Sequence, residues 1–479
     1  MTGTDSMIGA GSRRWPVGVL GVCAVAWAVV LVVGEKPWEL GIAARAAVGE
    51  VVPLGDFLKE GFWIAALFNL VAAVGLILTA RWWLDPRSAR VDSEETPGDL
   101  ADARTALRLP KWFLPLLVVT LGLAAWFRVP ALGHSLWNDE EYTLRRYVWG
   151  AWKVEKDESL AFSPVGWKTT LWFDRGANNH VGFSIPAKAS LLAWHRLTGA
   201  RPGEFSEAAL RLPAFLLGLG SIALVAWVVA ARGHPVIGLM AAAVLAADPW
   251  HLRYSVEARG YASLLFFSVL AMHWLDRAMR SGRWRFWIAY AAAQFAYLYS
   301  FPGAVYLAVA LNAWGLGWLA CRRSGRQDAN LGHAGSVCHP GSRGMAGAAR
   351  LIAANVLSAM VFVQAMGPCF HQIRLYLGRD IARGAMGGDW FLDVWSHFTA
   401  GVRWPADPPG QPLWATGSAL VNEPVFAGVV FGLMPVLVLA GGWRRSGAGW
   451  DCSSCRLSRR QGWLTLTRRS RAISCSVGI

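Results

Sequence analysis

Long apolar runs alternate with polar segments along most of this chain. A helix needs about 20 predominantly apolar residues to cross a membrane, and about ten runs approach that length. Together they predict an all-α polytopic membrane protein with about ten transmembrane helices. The runs cover residues 16–34, 62–80, 112–129, 209–230, 235–247, 260–275, 286–300, 303–320, 351–366 and 424–442.

The first run follows Arg13 and Arg14, an arrangement that secretion signals share. A signal-peptide core has only about 7–15 apolar residues. This run is longer and lacks a small-residue cleavage site. We therefore interpret it as an uncleaved first span.

Composition agrees with a membrane protein. Hydrophobic residues make up 54% of the chain and charged residues 16%, which excludes an ordinary soluble protein of this length. The formal charge of +15 does not indicate nucleic-acid binding, because the Lys and Arg residues lie between apolar runs, where they set topology and contact anionic lipids. The seven cysteines show no disulfide framework, and the Cys452–Cys455 pair alone is weak grounds for a metal or redox site.

Charge in the connecting segments predicts the orientation. With the N-terminus in the cytoplasm, segment 276–285 has four Arg against one Asp and segment 321–350 has five Arg against one Asp, both on the cytoplasmic side. Segments 128–208 and 370–423 then lie outside, with nearly balanced charge. We expect a multi-pass protein of a bacterial inner membrane with both termini in the cytoplasm.

The same segments divide the chain. We predict a two-span N-terminal module (1–80), a cytoplasmic linker (81–111), a membrane core (112–320) containing the extracytoplasmic loop 128–208, a cytoplasmic loop (321–350), C-terminal spans (351–446) with the extracytoplasmic loop 370–423, and a basic disordered tail (447–479).

Three consecutive acids, Asp139, Glu140 and Glu141, follow the third run. By composition they fit a solvated loop. However, the sequence Leu-Trp-x-Asp-Glu-x-Tyr-Thr that begins at Leu136 resembles the catalytic loop of GT-C polytopic glycosyltransferases, in particular the bacterial protein-mannosyltransferase-like and aminoarabinose-transferase-like members (glycosyltransferase family 39-like). The resemblance implies catalysis on the extracytoplasmic face, within short amphipathic helices that lie in the interface.

A second motif, Glu-Ala-Arg-Gly-Tyr at residues 257–261, connects the fifth and sixth spans on the same face. It is similar to the arginine motif that these transferases place beside the lipid phosphate. The similarity implies that Arg259 and Tyr261 bind the donor phosphate, which a guanidinium can hold with two hydrogen bonds. An ion pair of Arg259 with Glu257, or a contact with a lipid headgroup, is the alternative.

Two further elements resemble the family. Asn179 and His180 precede a Leu-rich helix, as in the family's second loop element, although Val181 stands where relatives have proline. An interfacial histidine is the alternative. Residues 207–213 resemble a Ser-Glu-x-x-x-Arg-x-Pro signature, which implies that Arg211 contacts the donor phosphate; otherwise its side chain snorkels to the interface.

The resemblance implies that a sugar is transferred from a polyprenyl-phosphate donor to a lipid, glycan or protein acceptor by an Asp-assisted displacement that inverts the anomeric configuration. We assign Asp139 as the base. Neighbouring residues in a helix point about 100° apart, so Glu140 would orient a neighbour or bind a divalent metal, while Glu141 faces away. The sequence establishes no cofactor, and a divalent metal at this loop stays an open alternative. The other candidate pocket residues are His180, Asn179, Glu257 and Tyr142.

A transporter or flippase of polyprenyl-linked or amphipathic substrates is the alternative function. Such proteins carry ionisable or helix-breaking residues in mid-span, often in matched halves. The predicted spans are nearly free of charge and their acids cluster on one face, which favours the enzyme. The unusual composition of the tail keeps a third interpretation open, in which the protein is a degenerate and inactive relative of these transferases.

Overall fold

The computed structural model describes residues 5–84, 109–329 and 342–377, which are mostly helical and belong to one compact unit, Met1–Ile381. Every apolar run predicted within them coincides with a helix; the run at 424–442, the loop 370–423 beyond Leu377 and the tail 447–479 lie outside the described residues. The proposed domain boundaries stay a prediction.

The helices are α1 (Asp5–Val33), α2 (Ile42–Ala47), α3 (Leu54–Leu78), α4 (Ala80–Trp83), α5 (Phe113–Leu132), α6 (Asn138–Thr143), α7 (Trp167–Trp172), α8 (Val181–Thr198), α9 (Glu207–Ala230), α10 (Pro235–Ala247), α11 (Pro249–Tyr254), α12 (Tyr261–Ser281), α13 (Trp284–Ser300), α14 (Val305–Ala329) and α15 (Ser342–Leu377). A π-helical turn (Leu144–Val148), a 3₁₀ turn (Pro302–Ala304) and two strands, β1 (Gly150–Val154) and β2 (Leu160–Pro164), complete the described elements.

Five helices of the described part are long and apolar enough to cross a membrane. They are the helices α3, α5 and α9, the part of α1 from Trp15 to Val33, and the part of α15 from Met345 to Leu377. The helix α10 is apolar but shorter. The chain therefore has several helices of the kind that membrane proteins use. That all ten runs cross the membrane stays a prediction.

Small residues allow the helices to approach closely. A Cβ atom placed on Gly61 of α3 would lie 2.3 Å from the backbone nitrogen of Pro368 in α15, and one on Gly238 of α10 would lie 2.5 Å from the carbonyl oxygen of Ala226 in α9. Because lipid tails supply little hydrophobic drive for helix association, such backbone contacts are a main source of packing energy between membrane helices.

A closed polar network joins α13, α14 and α15. Gln294 Nε2 donates to Asn355 Oδ1 at 2.8 Å, Asn355 Nδ2 donates to Asn312 Oδ1 at 2.6 Å, and the Tyr290 hydroxyl donates to Gln294 Oε1 at 2.7 Å. A polar side chain inside an apolar bundle is expensive unless it is paired, so the network fixes how these three helices face each other.

Buried ionisable groups occur near the ends of three candidate spans. Arg128 of α5 is fully buried, and Glu60 of α3 contacts His371 of α15 at 2.6 Å. The expectation that the spans are nearly free of charge is therefore incomplete. Asn69 Nδ2 of α3 donates to Gln364 Oε1 of α15 at 2.9 Å. From the Glu60–His371 contact to this one, the chain advances along α3 and goes back along α15, so the two helices are antiparallel.

The segment between α5 and α9 contains the short helices that were expected and also one β-hairpin, which the sequence did not predict, within a described part of the chain that is mostly helical. β1 and β2 are antiparallel and pair Trp152 with Phe162. Gly150 has φ 141°, and a Cβ there would lie 2.3 Å from Ser163 O. Aromatic cross-strand pairs stabilise such hairpins, and only glycine fits this close approach without strain.

Candidate active site

The acidic helix α6 directs its first two carboxylates into different environments. The Asp139 side chain is 42% exposed and the Glu140 side chain only 2%. Glu141 forms a surface ion pair with Arg145 one helical turn later. This divergence follows from the rotation of about 100° between consecutive helical residues.

Glu140 is the centre of a buried joint. Arg211 of α9 donates from Nε to Glu140 Oε1 at 2.9 Å and from Nη2 to Oε2 at 2.6 Å, and the Ala258 N–H donates to Oε1 at 2.6 Å. The remaining guanidinium hydrogens point to carbonyl oxygens of residues 131, 132, 134 and 135 at the end of α5. The pair therefore fastens α5, α6 and α9 to the segment before α12.

This geometry bears on two predicted roles. Every guanidinium nitrogen of Arg211 already donates to the protein, so some of these hydrogen bonds would have to break before Arg211 could contact a phosphate. The phosphate contact of Arg211 stays a prediction. Arg211 is also buried rather than snorkelling. Glu140 acts here as a counter-ion, and Asp139 is the acid of the pair that solvent and a substrate can reach.

Arg259 lies beside Asp139, with its Nη2 atom 4.0 Å from Asp139 Oδ2. Nη2 donates to Asn178 Oδ1 at 2.6 Å, and Nη1 donates to Thr143 Oγ1 at 3.2 Å. The guanidinium is 4% exposed, and its Nε has no acceptor within the described part of the chain. Arg259 is thus a buried cation whose closest partners are neutral, a setting that favours an additional anion.

His180 connects the loop to the start of α12. Its Nδ1 accepts the Gly260 N–H at 3.0 Å, so the proton of the neutral ring is on Nε2, which lies 3.5 Å from Arg259 Nη2. Burial, and secondarily the charge of Arg259, lowers the pKa of His180 to about 3. A Cβ on Gly260 would lie 2.4 Å from Ser300 O, so the approach requires glycine.

Asn178 and Asn179 have separate roles. Asn178 contacts Arg259, whereas the Asn179 amide donates to the carbonyls of Thr170 and Phe173 and so holds its own loop. Asp174 Oδ1 accepts both Asn178 N–H and Asn179 N–H. Burial raises the pKa of Asp174 to about 6, although these two hydrogen bonds act in the opposite direction.

The two predicted tyrosines differ in position. Tyr261 begins α12 and packs edge-on against His180, with ring centroids 5.5 Å apart. Tyr142 instead packs against Tyr147 and against Gly176, where an added Cβ would lie 2.7 Å from the Tyr142 hydroxyl. Tyr142 therefore supports the neighbouring loop, while Tyr261, two residues after Arg259, packs against His180.

A cavity of about 230 Å³ is lined in part by Glu140. Both Glu257 oxygens are buried there without a hydrogen-bond donor from the described residues, and Arg253 Nε is 3.7 Å away. Burial raises the pKa of Glu257. The lining residues are Ala131, His134, Ser135, Trp137, Glu140, Arg211, Arg253, Val256 and Glu257.

The structure therefore brings Asp139, Arg259, His180 and Tyr261 together, and places Glu140 with Arg211 beside them. The sequence reasoning did not identify Thr143, Asn178 or the cavity residue Trp137 as site residues. Thr143 lies one helical turn after Asp139, so helical spacing alone indicates that they share a face.

The predicted divalent metal has no complete ligand set in the described part of the chain. No group of three or more His, Cys, Asp or Glu side chains there could hold a metal ion. Both Glu140 oxygens are engaged by Arg211, and one of them also by Ala258.

Comparisons with protein-family models, with curated proteins and with solved structures find no match for this chain.

Proposed function

We propose that the protein is a membrane glycosyltransferase of the GT-C type, which moves a sugar from a polyprenyl-phosphate donor to a lipid, glycan or protein acceptor on the extracytoplasmic face. One observation carries the proposal: the exposed carboxylate of Asp139 lies 4.0 Å from the buried guanidinium of Arg259. A proton acceptor and a phosphate-binding cation are the two groups that such a transfer needs.

In the proposed reaction, the acceptor hydroxyl oxygen attacks the anomeric carbon while Asp139 takes its proton. The bond from the anomeric carbon to the phosphate oxygen breaks, and the polyprenyl phosphate leaves with the bonding electrons. Arg259 stabilises the charge on that leaving phosphate, since hydrogen bonds from a guanidinium strengthen as the charge grows. A single displacement of this kind inverts the configuration at the anomeric carbon.

The surroundings of Arg259 support this assignment. Thr143 and Asn178 hold the guanidinium through neutral oxygens, so its positive charge is oriented but incompletely compensated. The helix α12 begins two residues later, and the partial positive charge at its N-terminus also favours a bound phosphate. His180 is neutral and so adds no competing positive charge.

The finer architecture belongs to the same proposal: about ten transmembrane helices, a catalytic core at residues 112–320, cytoplasmic termini and an active site at the outer ends of the spans. The described helices are compatible with it, because α5, α9 and α12 all present one end to the site.

A transporter or flippase is the weaker candidate. The fully buried Arg128 and the contact between Glu60 and His371 are the kind of intramembrane ionisable groups that transporters use. However, all three lie within about two helical turns of the ends of their spans, whereas transporter sites lie near the membrane midplane.

The test is sugar transfer by the purified full chain in detergent, where a transporter has no gradient to use. With Asp139→Asn we expect transfer to fall by about 10²–10⁴-fold while the donor still binds, because only the proton acceptor is lost. Arg259→Lys should weaken both donor binding and turnover, because lysine lacks the planar fork.

Glu141→Gln is the matched control, since Glu141 is an exposed carboxylate of the same helix that pairs with Arg145. It should transfer at the parental rate. Absence of transfer from every polyprenyl-phosphate sugar tried, or an Asp139→Asn variant as fast as the parent, contradicts the proposal.

A further inference from the structure

Gln372 of α15 contacts the loop between α7 and α8, residues 173–180, which we call the asparagine loop. The residue is only 1% exposed. Its side-chain Nε2 donates to the Trp172 carbonyl oxygen at 2.8 Å, and its Oε1 accepts the Asp174 N–H at 3.1 Å. Nε2 also donates to the Pro368 carbonyl oxygen, one turn earlier in α15, at 2.8 Å. Both hydrogens and the oxygen of the amide are therefore engaged.

These bonds fix the backbone where the asparagine loop begins. Phe173 has an extended conformation, with φ −99° and ψ 115°, so the carbonyl group before it and the N–H group after it point to the same side. The Gln372 amide bonds to both groups, as the backbone of a neighbouring strand would. The position of α15 thus determines how the loop leaves α7.

A short series of hydrogen bonds connects this anchor to Arg259. Asp174 Oδ1 accepts the N–H groups of Asn178 and Asn179 at 2.9 and 3.0 Å. Asn178 Oδ1 in turn accepts Arg259 Nη2 at 2.6 Å. The oxygen of Asn178 that orients the guanidinium is therefore placed relative to Asp174, whose backbone Gln372 holds.

The conformation of the asparagine loop requires such an anchor. Ala177 has φ 49°, in the left-handed region that residues with a Cβ atom rarely adopt. Strained conformations persist only where surrounding contacts hold them. Because Ala177 directly precedes Asn178, relaxation of the backbone there would move the Asn178 side chain away from Arg259.

Apolar packing supports both ends of the loop. Met366 and Cys369 of α15 pack with Val181, the residue that follows the loop, in a cluster that is completely buried. At the other end, Phe62 of α3 contacts Trp172 edge-on, with ring centroids 5.4 Å apart. Apolar contacts have little directional preference, so the amide of α15 supplies the orientation that this packing lacks.

We propose that Gln372 is a positioning residue for the donor-phosphate site, which holds the asparagine loop so that Asn178 keeps the Arg259 guanidinium oriented toward the phosphate. The inference rests on the proposed function for the identity of that anion. The effect of Gln372 on the phosphate passes through Asn178. The site then extends beyond the predicted membrane core, residues 112–320, to a helix of the C-terminal spans.

Hydrogen exchange measured by mass spectrometry on the full chain in lipid nanodiscs tests the anchor directly. Gln372→Met keeps an unbranched side chain of similar length and removes its hydrogen bonds. We expect faster exchange in the asparagine loop and parental exchange in the hairpin at residues 150–164. Gln364→Met is the matched control, because Gln364 lies about two turns earlier in α15 and bonds to Asn69 of α3.

Binding of polyprenyl phosphate tests the positioning role. We expect Gln372→Met to raise the Kd roughly three- to ten-fold, the effect of about one ordinary hydrogen bond, and Gln364→Met to bind like the parent. Asn178→Ala removes the oxygen that contacts Arg259. The double variant of Gln372 and Asn178 should bind no more weakly than Asn178→Ala alone, since both changes act through one contact, whereas general loosening of the protein would add to that effect.

Steady-state kinetics give a second readout that general loosening would not reproduce. Gln372→Met should raise the KM for the donor and leave the KM for the acceptor unchanged. Gln372→Asn retains a buried amide that is one methylene shorter, so it tests the anchor even where Gln372→Met folds poorly. We expect the same pattern of exchange, binding and KM from it.

Three results would overturn the positioning role. They are parental exchange of the asparagine loop in both Gln372 variants, equal donor binding by Gln372→Met and Gln364→Met, and additive effects of Gln372→Met and Asn178→Ala. A parent protein that binds no polyprenyl phosphate would overturn it as well.

Failure of the two proposals can be told apart. Polyprenyl-phosphate binding that depends on Gln372 through Asn178, without sugar transfer from any donor, removes the transferase and keeps the positioning role. Transfer that depends on Asp139, with a donor KM that Gln372→Met does not change, keeps the transferase and removes the positioning role.

Discussion

Replacing a carboxylate by its amide should have different effects at the two adjacent acids Asp139 and Glu140 of α6, with activity lost at the first and stability lost at the second. Glu140→Gln removes a charge that is 98% buried and that pairs with Arg211, itself only 5% exposed. Breaking a buried pair by neutralising one partner costs about 3–5 kcal/mol, because the other charge is left uncompensated. The carbonyl oxygens around Arg211 remain in place, so we expect the lower end of this range, about 3 kcal/mol.

Asp139→Asn makes the same replacement one residue earlier at a side chain that is 42% exposed. Exposed substitutions usually change stability by no more than about 0.5 kcal/mol. We therefore expect Asp139→Asn to lose activity and keep stability, and Glu140→Gln to lose stability, with any loss of activity following from it.

The assay is unfolding of the purified protein in mixed micelles, followed by the loss of helical signal with increasing denaturing detergent. Arg211→Gln and the double variant with Glu140→Gln complete a double-mutant cycle, in which we expect a coupling free energy of about 1–3 kcal/mol. If Glu140→Gln is as stable as Asp139→Asn, or the cycle shows no coupling, the assignment of the pair as a structural joint is wrong.

Three further predictions follow from the structure and the topology. Burial raises the pKa of Asp174 from 3.8 to about 6, so the protein loses stability as the pH rises from about 4 to 6. Asp174→Asn should remove this loss. Above pH 6 we expect the variant to have a free energy of unfolding about 3 kcal/mol higher than the parent, a higher melting temperature and a flatter pH dependence. Gly61→Ala should destabilise by about 1–3 kcal/mol in the same unfolding assay because its Cβ meets the backbone of α15, whereas Gly75→Ala, with nothing within 4 Å, should not. In intact cells an impermeant thiol reagent should label Ser159→Cys and spare Cys338; the reverse pattern would contradict the predicted orientation.

Local sequence patterns were enough to predict most of the helices in the described part of the chain. The apolar runs predicted the helices because length and composition determine whether a helix suits a membrane interior. The separation of Asp139 from Glu140 was also predictable, since it depends only on helical geometry. The hairpin at residues 150–164 was not, because its pairing of Trp152 with Phe162 goes together with a close approach of Gly150 to Ser163 on the partner strand, 13 residues later in the sequence.

The residues that hold the site were harder to predict because their partners are distant in sequence. Arg211 lies 71 residues from Glu140, and no local pattern shows that one neutralises the other. The adjacent asparagines illustrate the same limit. Asn178 and Asn179 are chemically identical, and only the course of the loop around Asp174 decides which one faces Arg259.

The amide network of α13, α14 and α15 has a consequence for biosynthesis. Gln294 and Asn312 leave the ribosome before Asn355, and each can satisfy the other for a time, because Asn312 Nδ2 lies 3.3 Å from Gln294 Oε1. Asn355 then adds the bonds that close the network. A nascent chain that ends before α15 would leave these two amides only half paired, so the packing of α13 against α14 should become stable only once α15 has been made.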